Sequence, residues 1–161
     1  MFKKYNWKQP IYKDDLINVL INGFLCAILG GLLAGCIDFL FGLISFPISF
    51  GLVIICYMIG LRMRKAYMSY HILYPTLSIL FMIVALIFSR FAQYLCIFQS
   101  FSVFKALISL DFYLSILMAP VYNIILYIKN FEIYNLIIGI INIIIYIYAF
   151  VFCFRMVKGR N

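Results

Sequence analysis

The fold is decided by one apolar stretch near the amino terminus, LINVLINGFLCAILGGLLAGCI, residues 16–37. It is 22 residues long and contains no charged side chain. A helix rises 1.5 Å per residue, so about 20 apolar residues cross a hydrocarbon core of about 30 Å. The stretch therefore predicts a membrane-spanning helix and an integral membrane protein.

The composition of the whole chain agrees with this interpretation. Of its 161 residues, 67% are hydrophobic and only 11% are charged. A soluble domain is about 45–50% apolar and about 25% charged. Apolar side chains in this excess need lipid as their solvent, and the length suits one compact bundle without a large soluble domain.

Apolar patterning predicts four transmembrane helices in one all-α bundle that covers residues 16–154. The predicted spans are about 16–37, 46–61, 74–91 and 134–154. A polar tail, residues 1–15, precedes the bundle, and a basic tail, residues 155–161, follows it.

The stretch 106–128 leaves a fifth span as the alternative. It is apolar, but it contains Asp111, Asn123 and a central Pro120. With four spans, ten Lys and Arg residues lie on the inner side and three on the outer side; with five spans the numbers are eight and five. Because cytoplasmic loops collect Lys and Arg, the first arrangement is favoured. The segment between the third and fourth spans is then interfacial or re-entrant.

Basic residues also set the predicted orientation. They follow the second span and the last one, at Arg62, Arg64, Lys65, Arg155, Lys158 and Arg160. We expect both termini in the cytoplasm of a cell with a prokaryotic plasma membrane. The net charge of +8 is then explained by topology and anionic headgroups, so the lipid bilayer and not nucleic acid is the expected partner.

One face of the first span consists of small residues. Gly23, Ala27, Gly31 and Gly35 are spaced by four and form what we call the small-residue stripe. Such a stripe lets a second helix approach closely, and the contact is stabilised by van der Waals packing. The partner helix belongs either to the same chain or to another protein, so a homo- or hetero-oligomer formed through the first helix is one expectation.

Polar residues at membrane depth are the second feature, because burying them is costly. Asp38 follows the first span and Arg90 lies near the outer end of the third, with Gln93 one turn further. Three interpretations are open for Asp38 and Arg90: independent headgroup-level residues, a structural ion pair, or a transport site. Asparagines in the first and last spans are expected to form interhelical hydrogen bonds.

No motif specifies a reaction, a cofactor or a metal. The five cysteines form no Cys-x-x-Cys pair, so we interpret them as small packing residues, and the single histidine, His71, has no cluster of ligands around it. We therefore expect no enzyme. The leading hypothesis is a non-enzymatic accessory or assembly subunit, and the alternative is a small-solute or ion transporter or channel subunit.

Overall fold

The computed structural model describes residues 10–44, 49–98, 104–105 and 108–159. Within them the chain forms five α-helices and no strand: α1 Lys13–Leu43, α2 Phe50–Ala66, α3 Leu73–Phe98, α4 Leu110–Lys129 and α5 Ile133–Lys158. Of these, α1, α3 and α5 are long and apolar enough to cross a membrane. The predicted all-helical, membrane-type fold is confirmed at that level.

The other two helices differ from this pattern. α2 has 17 residues. α4 is bent, since its halves Leu110–Ile116 and Val121–Lys129 meet at 64°. Pro120 stands between the halves, and a proline cannot donate to the carbonyl one turn before it, which is a common cause of a kink. The described residues therefore contain three helices of spanning character, or four when the bent α4 is counted as one span.

Several helix boundaries differ from the prediction. α1 does not end at Ile37 but continues to Leu43, because Asp38 accepts a hydrogen bond from the Gly51 N–H (2.9 Å) and so does not interrupt the helix. α5 continues to Lys158, four residues into the predicted tail. The predicted start of the second span lies at residue 46, outside the described residues.

The small-residue stripe is covered by α3 within the chain. Gly23 faces the ring of Phe81, and a Cβ atom on Gly31 would lie 2.6 Å from the carbonyl oxygen of Ala85. Gly35 faces the backbone at Ser89. Residue numbers rise together along both helices, so α1 and α3 run parallel. At Gly31 and Gly35 the two backbones approach so closely that only glycine fits.

α2 packs against α1, and α5 completes the bundle by packing against α2 and α3. Gly51 lies against Ala34, where a Cβ atom would meet the Ala34 carbonyl at 2.7 Å. Gly60 lies against Met156, near the end of α5. Together the four helices enclose one core cluster, whose fully buried members include Val19, Ile55, Ile59, Met63, Tyr74, Met82 and Val157.

The bundle has two ends, which we name by their contents. The loop end holds the start of α1, the connection 67–72 between α2 and α3, and the end of α5. The cavity end holds the end of α1, the start of α2, the end of α3 and the start of α5. α4 belongs to the cavity end, because Phe112 and Ile116 pack on Phe91 of α3, and Ile124 faces Gly139 of α5.

The described basic residues predicted to set the topology all lie at the loop end. Arg62, Arg64 and Lys65 end α2, while Arg155 and Lys158 end α5. Arg160 lies outside the described residues. Three cations, Arg90, Lys105 and Lys129, belong instead to the cavity end or to its connections. The two ends therefore differ in charge as well as in packing.

Candidate functional site: a polar cavity between helices

A cavity of about 480 Å³ opens at the cavity end between α1, α3, α4 and α5. Nine of its fifteen lining residues are polar, in a chain that is 67% hydrophobic. They are Asp38, Ser49, Arg90, Gln93, Asn123, Tyr127, Asn135, Asn142 and Tyr146. Polar groups at membrane depth are costly and therefore mark functional sites. This collection on several helices is the strongest site in the described part of the chain.

Arg90 is the only arginine among the described residues that line this cavity, and its hydrogen-bond partners are neutral. Its Nη1 donates to Oε1 of Gln93 at 2.9 Å, and its Nη2 donates to the hydroxyl of Tyr146 at 3.1 Å. A guanidinium has five donors and keeps its charge at every physiological pH. Arg90 is thus oriented by its neighbours while donors remain for a further acceptor.

Asp38 has a structural partner on α2. Its Oδ1 accepts the hydrogen bond from the Gly51 N–H, which lies in the first turn of α2. The N-cap residue Ser49 makes no side-chain capping bond of its own. Because the first N–H groups of a helix lack partners within the helix, Asp38 supplies the cap from a neighbouring helix.

Asp38 and Arg90, which the sequence singled out as a possible pair, line the same cavity but do not contact each other. Both line it, and the charge of Arg90 acts on Asp38 through space. Yet no hydrogen bond or ion pair within 4.0 Å joins the two side chains, both of which the structure describes. The cavity wall therefore carries a positive and a negative group, each held separately.

A short network connects Arg90 to the start of α2. The Tyr146 hydroxyl lies 3.4 Å from Oγ of Ser49, and the Ser49 N–H donates to Oδ1 of Asn142 at 3.2 Å. Asn142 was predicted to bond between helices, and here it does. Ser49 and Tyr146 were missed, although Tyr146 lies one helical turn from Asn142 and so shares its face. The spacing of two polar residues by one helical turn, within a run rich in isoleucine, could have indicated that Tyr146 lies beside Asn142.

The other predicted asparagine bonds stay local. The Asn22 amide donates to the carbonyl of Asn18 in the same helix, and the Asn135 amide donates to the Glu132 carboxylate three residues earlier. At the loop end, His71 is buried and its Nδ1 accepts from the Leu73 N–H at 3.1 Å. These residues therefore hold local structure.

The arrangement can bind a small polar solute. The guanidinium offers charged donors, and the amide and hydroxyl groups beside it can donate or accept. Among the described residues no group of three or more His, Cys, Asp or Glu could hold a metal ion. No protein family, curated protein or solved structure shows significant similarity to this chain.

Proposed function

We propose that this chain is a multi-pass membrane protein that binds a small solute carrying an anionic group in the polar cavity, as a transporter or channel subunit. The observation that carries the proposal is Arg90, whose hydrogen-bond partners Gln93 and Tyr146 are both neutral. A cation inside a helix bundle that no carboxylate contacts directly gains most from an anionic ligand. A guanidinium also matches the geometry of a carboxylate by two parallel hydrogen bonds.

The size and lining of the cavity support binding of a small molecule. Its volume of about 480 Å³ falls in the range of about 300–1,000 Å³ that ligand pockets occupy. Apolar walls from Phe39, Leu43 and Ile138 stand beside the polar groups, a mixture that ligand pockets share. Asp38 on the same wall favours a solute that also carries a positive group.

The proposal includes a topology with four spans and with α4 as a re-entrant or interfacial segment. α2, with 17 residues, is about 26 Å long at 1.5 Å per residue. Arg62 and Arg64 at its end can extend toward headgroups and compensate for this length. The bend in α4 and its packing at the cavity end favour a segment that enters and leaves on one side.

The orientation follows from the basic loop end. Lys and Arg residues collect on the cytoplasmic side, so we propose that both termini are cytoplasmic and that the cavity opens on the outer side. A reporter fused after Asn161 tests this, since a cytoplasmic-only reporter should be active there and inactive when inserted between α4 and α5. The reverse activities would contradict the orientation.

The role of accessory or assembly subunit remains a prediction, with one constraint on the surface that could serve it. Association through the small-residue stripe would require removal of α3, because Gly31 and Gly35 already contact the α3 backbone. An assembly surface must therefore be sought on the outward faces of the bundle. Among the described residues, no single feature distinguishes those faces from surface that lipid would cover, so solute binding is the better-supported proposal.

The experiment is thermal unfolding of the full-length protein in lipid nanodiscs with a panel of small anions. The panel contains acetate, glycine, glutamate, phosphate and chloride at equal ionic strength. At a concentration of 100 times its Kd, a bound ligand stabilises the folded state by about 2.7 kcal/mol. We expect at least one carboxylate to raise the apparent Tm of the natural chain, and Arg90→Gln to abolish that shift.

The matched control is Arg64→Gln, which removes the same charge at the loop end, where Arg64 is exposed. It should retain the full ligand-dependent shift. Arg90→Lys keeps the charge but loses the forked donor geometry, so we expect a reduced shift. Equal stabilisation of the natural chain and Arg90→Gln, or no stabilisation of either, would contradict the proposed function.

A further inference from the structure

Two cysteine thiols that lie 60 positions apart in the sequence come together at the cavity end. Cys36 on α1 and Cys96 on α3 have their sulfur atoms 3.9 Å apart. Sequence spacing predicted the cysteines as separate packing residues, because none forms a Cys-x-x-Cys pair. The tertiary fold therefore creates a dithiol that the linear pattern does not contain.

The close approach of α1 and α3 explains this juxtaposition. At Gly35, directly before Cys36, a Cβ atom would lie 2.7 Å from the Cβ of Ala92 on α3. Ala92 stands one helical turn before Cys96. A disulfide requires Cβ atoms about 3.5–4.5 Å apart and a sulfur–sulfur bond of about 2.05 Å. The sulfur atoms, 3.9 Å apart, must approach further for the bond to form, and the helices that carry them are already in contact next to them.

The pair also differs from the other cysteines in access. Cys56 and Cys153 are buried in the core, at 1% and 0% exposure. Cys36 is exposed on the bundle surface and Cys96 is half-buried. A reagent can therefore reach Cys36 first, with Cys96 behind it in position to react second.

We propose that Cys36 and Cys96 form an oxidisable dithiol that closes to an intramolecular disulfide by exchange with a small organic disulfide. The Cys36 thiolate attacks one sulfur of the reagent, forms a mixed disulfide and releases one thiolate. The Cys96 thiolate then attacks the Cys36 sulfur and releases the second. The chain loses two protons and two electrons, and the reagent disulfide is reduced to two thiols.

The bond would fix one side of the polar cavity. Asp38 and Phe39 follow Cys36 on α1, while Gln93 and Ile97 flank Cys96 on α3, and all four line the cavity. The disulfide would therefore hold this part of the cavity wall at constant separation. With the proposed orientation the pair lies in the outer half of the membrane, the side on which disulfides persist. The dithiol itself rests on the geometry alone and not on solute binding.

The test treats the full-length, reduced protein in membranes with dipyridyl disulfide, which is small and apolar enough to enter lipid. Peptide mapping without reduction then follows the products. We expect a cross-linked peptide joining Cys36 to Cys96, a mass lower by about 2 Da for two lost hydrogen atoms, and recovery of both free thiols on reduction. Cys36→Ser and Cys96→Ser should each abolish the cross-link, whereas Cys26→Ser should retain it.

The competing outcomes are distinct. A pyridyl adduct that persists on Cys36 would mean that Cys96 cannot reach it, and the proposal would be wrong. Cross-linked dimers formed through Cys36 would show that the partner thiol belongs to another chain, which also overturns it. Ligand-dependent stabilisation is measured separately, so solute binding can fail while the cross-link forms, and the reverse.

Discussion

The two ends of the bundle use their polar residues in opposite ways. At the loop end, Asp15 accepts hydrogen bonds from the Met68 N–H (3.2 Å), the Ser69 N–H (3.0 Å) and the Ser69 hydroxyl (2.9 Å). The hydroxyl of Tyr67 donates to the Val157 carbonyl at the end of α5. At the cavity end, polar side chains instead surround an open volume of about 480 Å³.

The two ends therefore differ in how tightly their described residues are packed. Hydrogen bonds at the loop end tie the connection 67–72 to both α1 and α5, above a core in which Met63, Tyr74 and Val157 are fully buried. Hydrogen bonds at the cavity end orient Arg90 and cap α2 but leave space between the helices. The candidate site thus lies at the less tightly packed end, and the predictions below test each end in turn.

The largest loss of stability is expected from a substitution at Gly31. The contact between α1 and α3 at this residue supports both ends of the bundle. In Gly31→Leu the new side chain would begin 2.6 Å from the Ala85 carbonyl oxygen and 2.9 Å from the Phe88 Cβ. A backbone oxygen cannot rotate away, so α1 and α3 must separate. Overpacking in a well-packed core costs about 1–3 kcal/mol, and here we expect at least the upper value. The measurement is the yield of monodisperse protein and its apparent Tm.

Gly42→Leu is the matched control, because nothing lies within 4 Å of a Cβ atom at Gly42. It should yield as much monodisperse protein as the natural chain. Normal yield and Tm for Gly31→Leu would contradict the α1–α3 contact on which both ends are built.

The second-largest effect is expected at the loop end, where a single substitution should open the connection between α2 and α3. Asp15→Ala removes the acceptor of three hydrogen bonds, so the connection 67–72 should detach from α1. We expect hydrogen exchange at the Met68 and Ser69 amides to rise by about tenfold or more, since local opening controls exchange. The apparent Tm should also fall.

Asp14→Ala is the control for this experiment. Asp14 precedes Asp15 in the first turn of α1 but is exposed. Its removal should leave exchange at Met68 and Ser69 unchanged. Similar exchange in both variants would show that the loop end is closed by other contacts.

A smaller loss of stability is expected at the cavity end when Asp38 is replaced. Asp38→Ala removes the cap on the Gly51 N–H, and the loss of a cap costs about 1 kcal/mol. Asp38→Asn retains a side-chain oxygen that can accept the same bond, so its stability should remain close to that of the natural chain. The free energy of unfolding of the two variants, measured in one detergent, checks this.

The same two variants separate capping from charge. If Asp38 serves only as a cap, Asp38→Asn should retain ligand-dependent stabilisation. If its charge meets a positive group of the solute, Asp38→Asn should weaken that stabilisation while folding normally. Equal stability losses in Asp38→Ala and Asp38→Asn would contradict the capping role.

These residues also explain what the sequence could predict. The apolar stretches 16–37, 74–91 and 134–154 were found correctly in outline, because length and hydropathy alone determine a spanning helix. The continuation of α1 through Asp38 was not predicted. A charged residue after an apolar run indicates an end unless a partner satisfies it, and that partner, Gly51, is supplied by tertiary structure.

The sequence predicted two residues of the candidate site but not their hydrogen-bond partners. Asp38 and Arg90 stood out because single charges at membrane depth are rare, and both do line the cavity. Their actual partners, Gly51 for the carboxylate and Tyr146 for the guanidinium, depend on helix packing that no spacing encodes. The meeting of Cys36 with Cys96 depends on the same packing, since only the α1–α3 contact joins them.

The smallest predicted effect depends on pH and concerns Tyr67 at the loop end. Burial raises the pKa of the Tyr67 hydroxyl, and nearby Tyr74 raises it further against the opposing effect of Arg64. The protonated hydroxyl donates to the Val157 carbonyl, so Tyr67→Phe should cost about 0.5–1 kcal/mol at neutral pH. The folded-state pKa exceeds the unfolded value of about 10, so this stabilisation is fully present below pH 10 and is lost as the pH rises through the folded-state pKa.

The stability difference between the natural chain and Tyr67→Phe should therefore shrink above about pH 10, because phenylalanine has no hydroxyl to ionise. Unfolding measured at about pH 8 and about pH 11 checks this. Tyr57→Phe is the control: Tyr57 is 53% exposed on α2, and its replacement should change stability little at either pH. A constant difference for Tyr67→Phe would mean that the buried hydroxyl does not close the loop end, and the contrast between the ends would then rest on Asp15 alone.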